Sequence, residues 1–227
     1  MANLPEPARK AGEVVLHTVD RVVEKRWEHA LAVASSATGP VEDRVAEITR
    51  AFAREMAAVG AAVGATAAVP GAGAVTLVGT TALELGWFTA RAGDLILSIA
   101  ATHGHTSGSV EQRRAWILSV LAFGDTASAG FTRVAGEVGK GLGTRATARI
   151  PTETLRAINR ALGRTIVTKY GTKRGAIALG RALPFGIGAV IGGSANYAFA
   201  RAVARQADSF FRLLPPPLDA PSSLLPT

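Results

Sequence analysis

The residues best suited to chemistry cluster on one stretch of the chain. Glu84, Arg91 and Asp94 recur so that, with Thr80, Ser98 and Thr102, they fall on one narrow stripe of a helix turning about 100° per residue, with Val78, Leu85, Ile96 and Ile99 opposite. Opposite charges on one face of a charge-poor region can bind a polar headgroup or form a buried pair. They can equally be a solvated face on which Arg91 and Asp94 pair at i, i+3. His103 and His105 follow at once, but no Asp, Glu or His completes a metal set at recognisable spacing. They read as a surface turn, and neither a metal nor a cofactor is expected.

A second pattern is cationic. Arg156, Arg160 and Arg164 form an i, i+4 ladder, which Arg149 extends backward and Lys173 and Arg174 follow in a basic, glycine-containing turn. Leu155, Ile158, Leu162 and Ile166 share another face of the same helix. Two readings fit. In one, the leucines and isoleucines enter the acyl boundary while the arginines meet anionic headgroups. In the other, the apolar face docks on a protein core and the arginines stand in water. The signatures of other chemistries are missing: neither Gly136 to Gly143 nor Gly186 to Gly193 fits GxxxxGK[ST] or a strand-to-helix GxGxxG, and no GxSxG occurs. A catalytic site is not assigned.

Composition narrows the class. Of 227 residues 48% are hydrophobic but only 6% aromatic, so a core must be filled by small side chains and close backbones. Charged residues are 19%, below the roughly 25% of soluble domains, and the mean hydropathy of +0.24 leans toward lipid. The absence of cysteine excludes disulfides, thiolate metal sites and a cysteine nucleophile. Met1 to Glu13 is polar, which predicts no secretory signal and a protein on the cytoplasmic side. The net charge of +8 is uneven: residues 1 to 125 carry −2, residues 126 to 227 carry +10. A basic C-terminal half attracts polyanions, either anionic lipid or nucleic acid. The lack of aromatic–basic interleaving and of a helix-turn-helix pattern disfavours nucleic acid.

The elements that must position these residues are helical throughout. Val15, Val19, Val22, Val23, Trp27, Ala30 and Leu31 predict one amphipathic helix over Ala8 to Ala34, ended by Gly39-Pro40. A second should run from Val41 to about Ala68, with Glu42 and Asp43 at the positive end of its dipole. Ala57 to Leu83 has no charge but is interrupted at Pro70-Gly71-Ala72-Gly73. A helical hairpin, dipping into a membrane or buried in protein, fits it at least as well as a single span. A third helix is predicted over Ala74 to Thr102, and Ser109 with Gln112 forms a capping box for a fourth around Trp116 to Leu121. Gly124 to Thr147 carries no clear pattern. A helix begins after Pro151, and a second charge-free run covers Ala182 to Ala200, just long enough to span. Gly60 with Gly64, and Gly188 with Gly192, are GxxxG pairs suited to close helix packing. The proline-rich tail from Pro215 to Thr227 predicts disorder.

Several of these segments together resemble a known family. The Gly60 to Gly73 hairpin is followed by Ile99-Ala100-Ala101-Thr102-His103-Gly104, then by Glu111-Gln112-Arg113-Arg114 and Ile117 to Leu121. Later come Leu183-Pro184-Phe185-Gly186-Ile187-Gly188-Ala189-Val190-Ile191-Gly192-Gly193, Asn196, and Ala207-Asp208-Ser209-Phe210-Phe211-Arg212. This order resembles the EcsC family over roughly Val41 to Leu214, with His103 standing where the family is expected to carry tyrosine. The resemblance implies a helical, membrane-associated bacterial protein with no transferable catalytic residues, from a family named for a gene beside a transporter operon. Alanine and arginine richness points to an actinobacterial source.

The expected protein is therefore all-α, a bundle of Gly/Ala-rich helices that are closely packed or membrane-inserting. It comprises an N-terminal amphipathic helix (1–40), an EcsC-like domain (41–214) and the tail (215–227). Its expected function is noncatalytic binding of anionic membrane lipid through Arg149, Arg156, Arg160, Arg164, Lys173 and Arg174. It would be an accessory to a membrane transporter or secretion system at the cytoplasmic side of the bacterial inner membrane, with an oligomer possible. The alternative is a lipid-binding or lipid-modifying protein enclosing a greasy cavity, with Glu84, Arg91, Asp94 and His103 at its mouth.

Overall fold

The computed structural model describes residues 6–67, 77–138, 150–171 and 189–214. Among them every regular element is a helix, so the chain is an all-α helical bundle. The N-terminal amphipathic segment forms two helices rather than one, α1 (Glu6–Lys25) and α2 (Trp27–Ser36), meeting at Arg26 with φ −113° and ψ 1°. The i to i−4 ladder persists there: Arg26 N–H donates to Val22 O and Ala30 N–H to Arg26 O, both at 3.0 Å. The axis bends without ending, so its apolar stripe stays on the bundle.

α3 (Val41–Ala67) and α4 (Leu77–Thr102) match the predicted helices closely. α5 (Val110–Phe123) starts at the predicted box. Ser109 Oγ accepts from Gln112 N–H at 3.3 Å, and the Gln112 side chain accepts from Ser109 N–H at 2.8 Å, satisfying two donors that a helix start leaves bare. The patternless stretch after Gly124 contains a 3₁₀ turn (Gly124–Thr126) and α6 (Ala127–Val138). α7 covers Thr152–Gly171 and α8 covers Ala189–Leu213. Two helix ends are closed by distant cations. Arg44 donates to Ala34 O of α2 at 2.8 Å, and Lys169 Nζ to Leu121 O and Ala122 O of α5 at 3.0 and 2.8 Å.

α4 is the axle of the bundle. It packs against α1, α2, α3, α5 and α8, and every residue from Ala92 to Thr102 is buried. α3 runs antiparallel to α8, as Met56 meets Asn196 and Glu42 meets Arg212. α4 runs parallel to α8, as Phe88 meets Phe199 and His103 meets Asp208. The chain therefore reverses between α3 and α4, whose arms share the charge-free run from Ala57 to Leu83. Its break at Pro70 to Gly73 lies outside the described residues, as does the tail from Pro215. Among the described residues no helix is long and apolar enough to cross a membrane. Residues from Val15 on α1 to Phe211 on α8 form one hydrophobic cluster, so α1 and α2 share their core with the helices that follow.

Small residues let these helices approach. A Cβ at Gly12 would lie 2.9 Å from Val167 Cα, placing α1 directly on the α7 backbone, and one at Gly193 would lie 3.1 Å from Ala57 O, placing α8 on α3. Of the predicted packing glycines, Gly60 is buried in α3. Gly64 and Gly192 lie within α3 and α8, but their surroundings, like Gly188 itself, are outside the described residues.

Gly12→Ala should push α1 off α7, costing about 1–3 kcal/mol and lowering the melting temperature by several degrees. Gly136→Ala, on an exposed turn of α6 with open space around it, should instead gain up to about 1 kcal/mol from helix propensity. Thermal unfolding followed by circular dichroism reads both. Equal melting temperatures for the two variants would contradict the close approach.

Candidate functional site

From Arg91 to Thr102, its described part, the polar stripe on α4 faces the bundle rather than solvent. Asp94, Ser98 and Thr102 are 2%, 0% and 2% exposed, because helices cover this face as well as the apolar one. The hydroxyls are satisfied inside the helix: Ser98 Oγ donates to Asp94 O and Thr102 Oγ1 to Ser98 O, each at 2.8 Å. Asp94 is satisfied by two arginines. Arg26 reaches it with Nε and Nη2 at 3.0 and 2.7 Å, and Arg91 with Nη1 at 2.8 Å. Arg91 also pairs with Glu55 of α3 and lies 4.6 Å over the Phe52 ring. The predicted Arg91–Asp94 pair thus exists, inside a bridge joining the α1–α2 bend, α3 and α4. Hydrogen bonding to Asp94 raises the Arg26 pKa. Glu84 lies in α4 with its side chain outside the described residues.

His103 sits elsewhere, just past the end of α4, nine residues or about 13 Å beyond Asp94. It and His105 do not form a surface turn. His103 Nε2 donates to Asp208 Oδ1 at 2.8 Å, Asp208 Oδ2 accepts from Arg212 Nε at 3.0 Å, and Arg212 continues to Glu42 at 3.2 Å. Burial opposes ionisation of Asp208, but hydrogen bonds from His103 and Arg212 outweigh it and hold its pKa below the ordinary value. His105 is buried between Trp116 and Phe211, with ring centroids 5.5 and 5.4 Å away. Burial first, then the charge of His103, push its pKa down to about 4. Among the described residues no group of three or more His, Asp or Glu is placed to hold a metal.

The arginine ladder has its apolar partner face in protein. Leu155, Ile158, Leu162 and Ile166 are at most 3% exposed, packed where α7 meets α1, α5 and α6. The acyl-boundary placement of these four side chains is therefore replaced by docking on the core. Arg156 is held by Glu111 and Glu153 at 3.3 and 2.7 Å, whereas Arg160 and Arg164 are exposed and make no ion pair among the described residues. Arg149, Lys173 and Arg174 lie outside the described residues.

The three groups are separate. Beside Arg91, between Phe52, Met56, Phe199 and Val203, the open volume is about 10 Å³, close to the minimum that holds one water. Arg26, which anchors one of the networks, was not singled out in the sequence, where it is one more charge on an amphipathic helix. Glu111, which anchors another, entered there only as part of the Glu111 to Arg114 segment of the family resemblance, with no role assigned. Comparison with protein-family models, curated proteins and solved structures finds no match to this chain.

Asp94→Ala should leave the guanidinium of Arg91, 14% exposed, facing Arg26 with no shared carboxylate. Removing one member of a buried pair costs about 3–5 kcal/mol, and the half-exposed Arg26 places the loss at the lower end. Urea unfolding measures it. A loss under about 1 kcal/mol would show that the bridge does not hold the α1–α2 bend.

Proposed function

We propose that this chain is an EcsC-like, noncatalytic protein that docks peripherally on anionic membrane surfaces and serves as an accessory to a membrane transport or secretion process. The observation that carries the docking is the pair Arg160 and Arg164, one helical turn apart on α7, exposed and without a carboxylate partner among the described residues. Their helix is fixed by its buried apolar face, so the guanidiniums stand on a rigid platform and lose little order on binding. Arginine suits phosphate because its planar fork can donate two parallel hydrogen bonds. The ladder also lies within the half of the chain that carries +10, which raises the local concentration of polyanions around it.

Contact is through headgroups, since the apolar face of α7 is engaged in the core. In this reading the protein sits on the cytoplasmic side of the bacterial inner membrane, and the sequence resemblance from Val41 to Leu214 supplies the connection to transport. Each basic side chain near an anionic surface contributes about 1 kcal/mol, and salt screens it within about 10 Å.

Liposome flotation tests this. The protein should float with anionic but not neutral vesicles and be released by high salt. Arg160→Ala with Arg164→Ala should lose about 2 kcal/mol, roughly 30-fold in partitioning, with an unchanged circular dichroism spectrum. Equal flotation with neutral lipid, resistance to salt and carbonate, or no flotation at all would each overturn surface docking by these arginines.

A further inference from the structure

We propose that the turn after α4 is an acid-released latch, with His105 as its trigger, that holds the C-terminal end of α8 on the bundle. The turn is short and closely fitted. Gly104 takes a left-handed φ of 85°, and Gly108 passes so near the Trp116 ring that a Cβ there would collide with it. These constraints press His105, 5% exposed, between Trp116 of α5 and Phe211 of α8. The Trp116 and Phe211 rings also meet edge to face at 5.5 Å, so the imidazole completes a three-ring cluster joining α5, the turn and α8.

The chemistry around the imidazole favours its neutral form. From α8 it meets the Phe211 backbone by a hydrogen bond, which opposes the downward shift of its pKa. From its own turn it meets His103, whose charge adds to the cost of a second one. The nearby ions are engaged with each other: Asp208 with His103 and Arg212, Arg212 with Glu42 of α3, and Glu111 of α5 with Arg156 and Asn159. Among the described residues His105 has no carboxylate in ion-pair contact, so its cation has water as its best alternative. Release hydrates the ring and uncovers Trp116 and Phe211.

The sign follows from proton uptake. The latched ring titrates at about 4 and a released one at the ordinary 6.5, so the released state binds the extra proton between these values. Holding is complete above pH 6.5 and weakens as pH falls toward 4, with release favoured about 20-fold more at pH 5 than at pH 7. Asp208, held below its usual range, stays ionised through this window.

Hydrogen–deuterium exchange of the full chain at pH 7 and pH 5, corrected for the intrinsic pH dependence of exchange, tests the latch. Opening of residues 103–109 and 207–214 should rise about 20-fold, while α1 and α7 keep their protection. His105→Phe should abolish the rise, and His103→Gln should retain it. An unchanged rise in His105→Phe, no rise in the unmodified protein, or an equal rise in all helices would overturn the proposal. Should His105→Phe fail to fold, NMR titration of the His105 ring in the unmodified protein decides: a midpoint near 4 supports the latch, and one at 6 or above rejects it.

Discussion

The burial of α4 on every side from Ala92 to Thr102 is the constraint on which the rest of this bundle depends. A helix wrapped by neighbours has no wet face, so each polar group on it needs a partner in the protein. Ser98 and Thr102 answer this locally, by donating to carbonyls one turn back. Asp94 cannot, because a carboxylate only accepts hydrogen bonds. It draws in Arg26 from the α1–α2 bend and Arg91 from its own helix, and Arg91 in turn engages α3. A charge inside the core thereby sets the positions of α3 and of the α1–α2 bend. Such a bridge does more for the uniqueness of the packing than for its net stability, since desolvation offsets much of the attraction.

Around this axle small residues set the closest helix approaches, and a cluster of aromatic rings fills the end where α4 stops. Gly12 and Gly193 bring α1 onto α7 and α8 onto α3 at backbone contact, where dispersion is summed over main-chain atoms rather than large side chains. Where α4 stops, the turn has no helix of its own to shield it. There Phe210, Phe211, Trp116 and His105 supply bulk, with Phe131 of α6 packed edge to face on Phe210. This end joins the rings of Trp116, Phe210 and Phe211 to a histidine whose pKa burial lowers. The cationic face of α7 lies on the opposite side of that helix from its buried isoleucines, so a surface event there need not disturb the core.

Local patterns that depend on neighbours along the chain were legible in the sequence. Spacing about every 3.6 residues gave α3, α4 and α7 within a few residues of their observed ends, and Ser109 with Gln112 marked the start of α5, because capping involves atoms only three residues apart. The bend at Arg26 was hidden, since the apolar periodicity of α1 and α2 runs through it unbroken. α6 was hidden too, Gly130 and Gly136 masking a short helix that tertiary contacts sustain.

The sequence by itself determined that this protein is all-α, that its C-terminal half is basic, and that bulky groups are too few to space its helices widely, because these follow from composition and short-range periodicity. Only the tertiary structure decided which faces are wet. Periodicity registers that residues share a face, not what covers that face. The polar stripe of α4 from Arg91 to Thr102 therefore proved to be interior, the apolar face of α7 proved to meet protein rather than lipid, and two histidines that read as a surface turn proved to be a buried ring and a partner of Asp208. The outcomes for α4 and the two histidines rest on contacts between residues 68 to 106 positions apart, a distance over which one chain's local pattern carries no record of its partner.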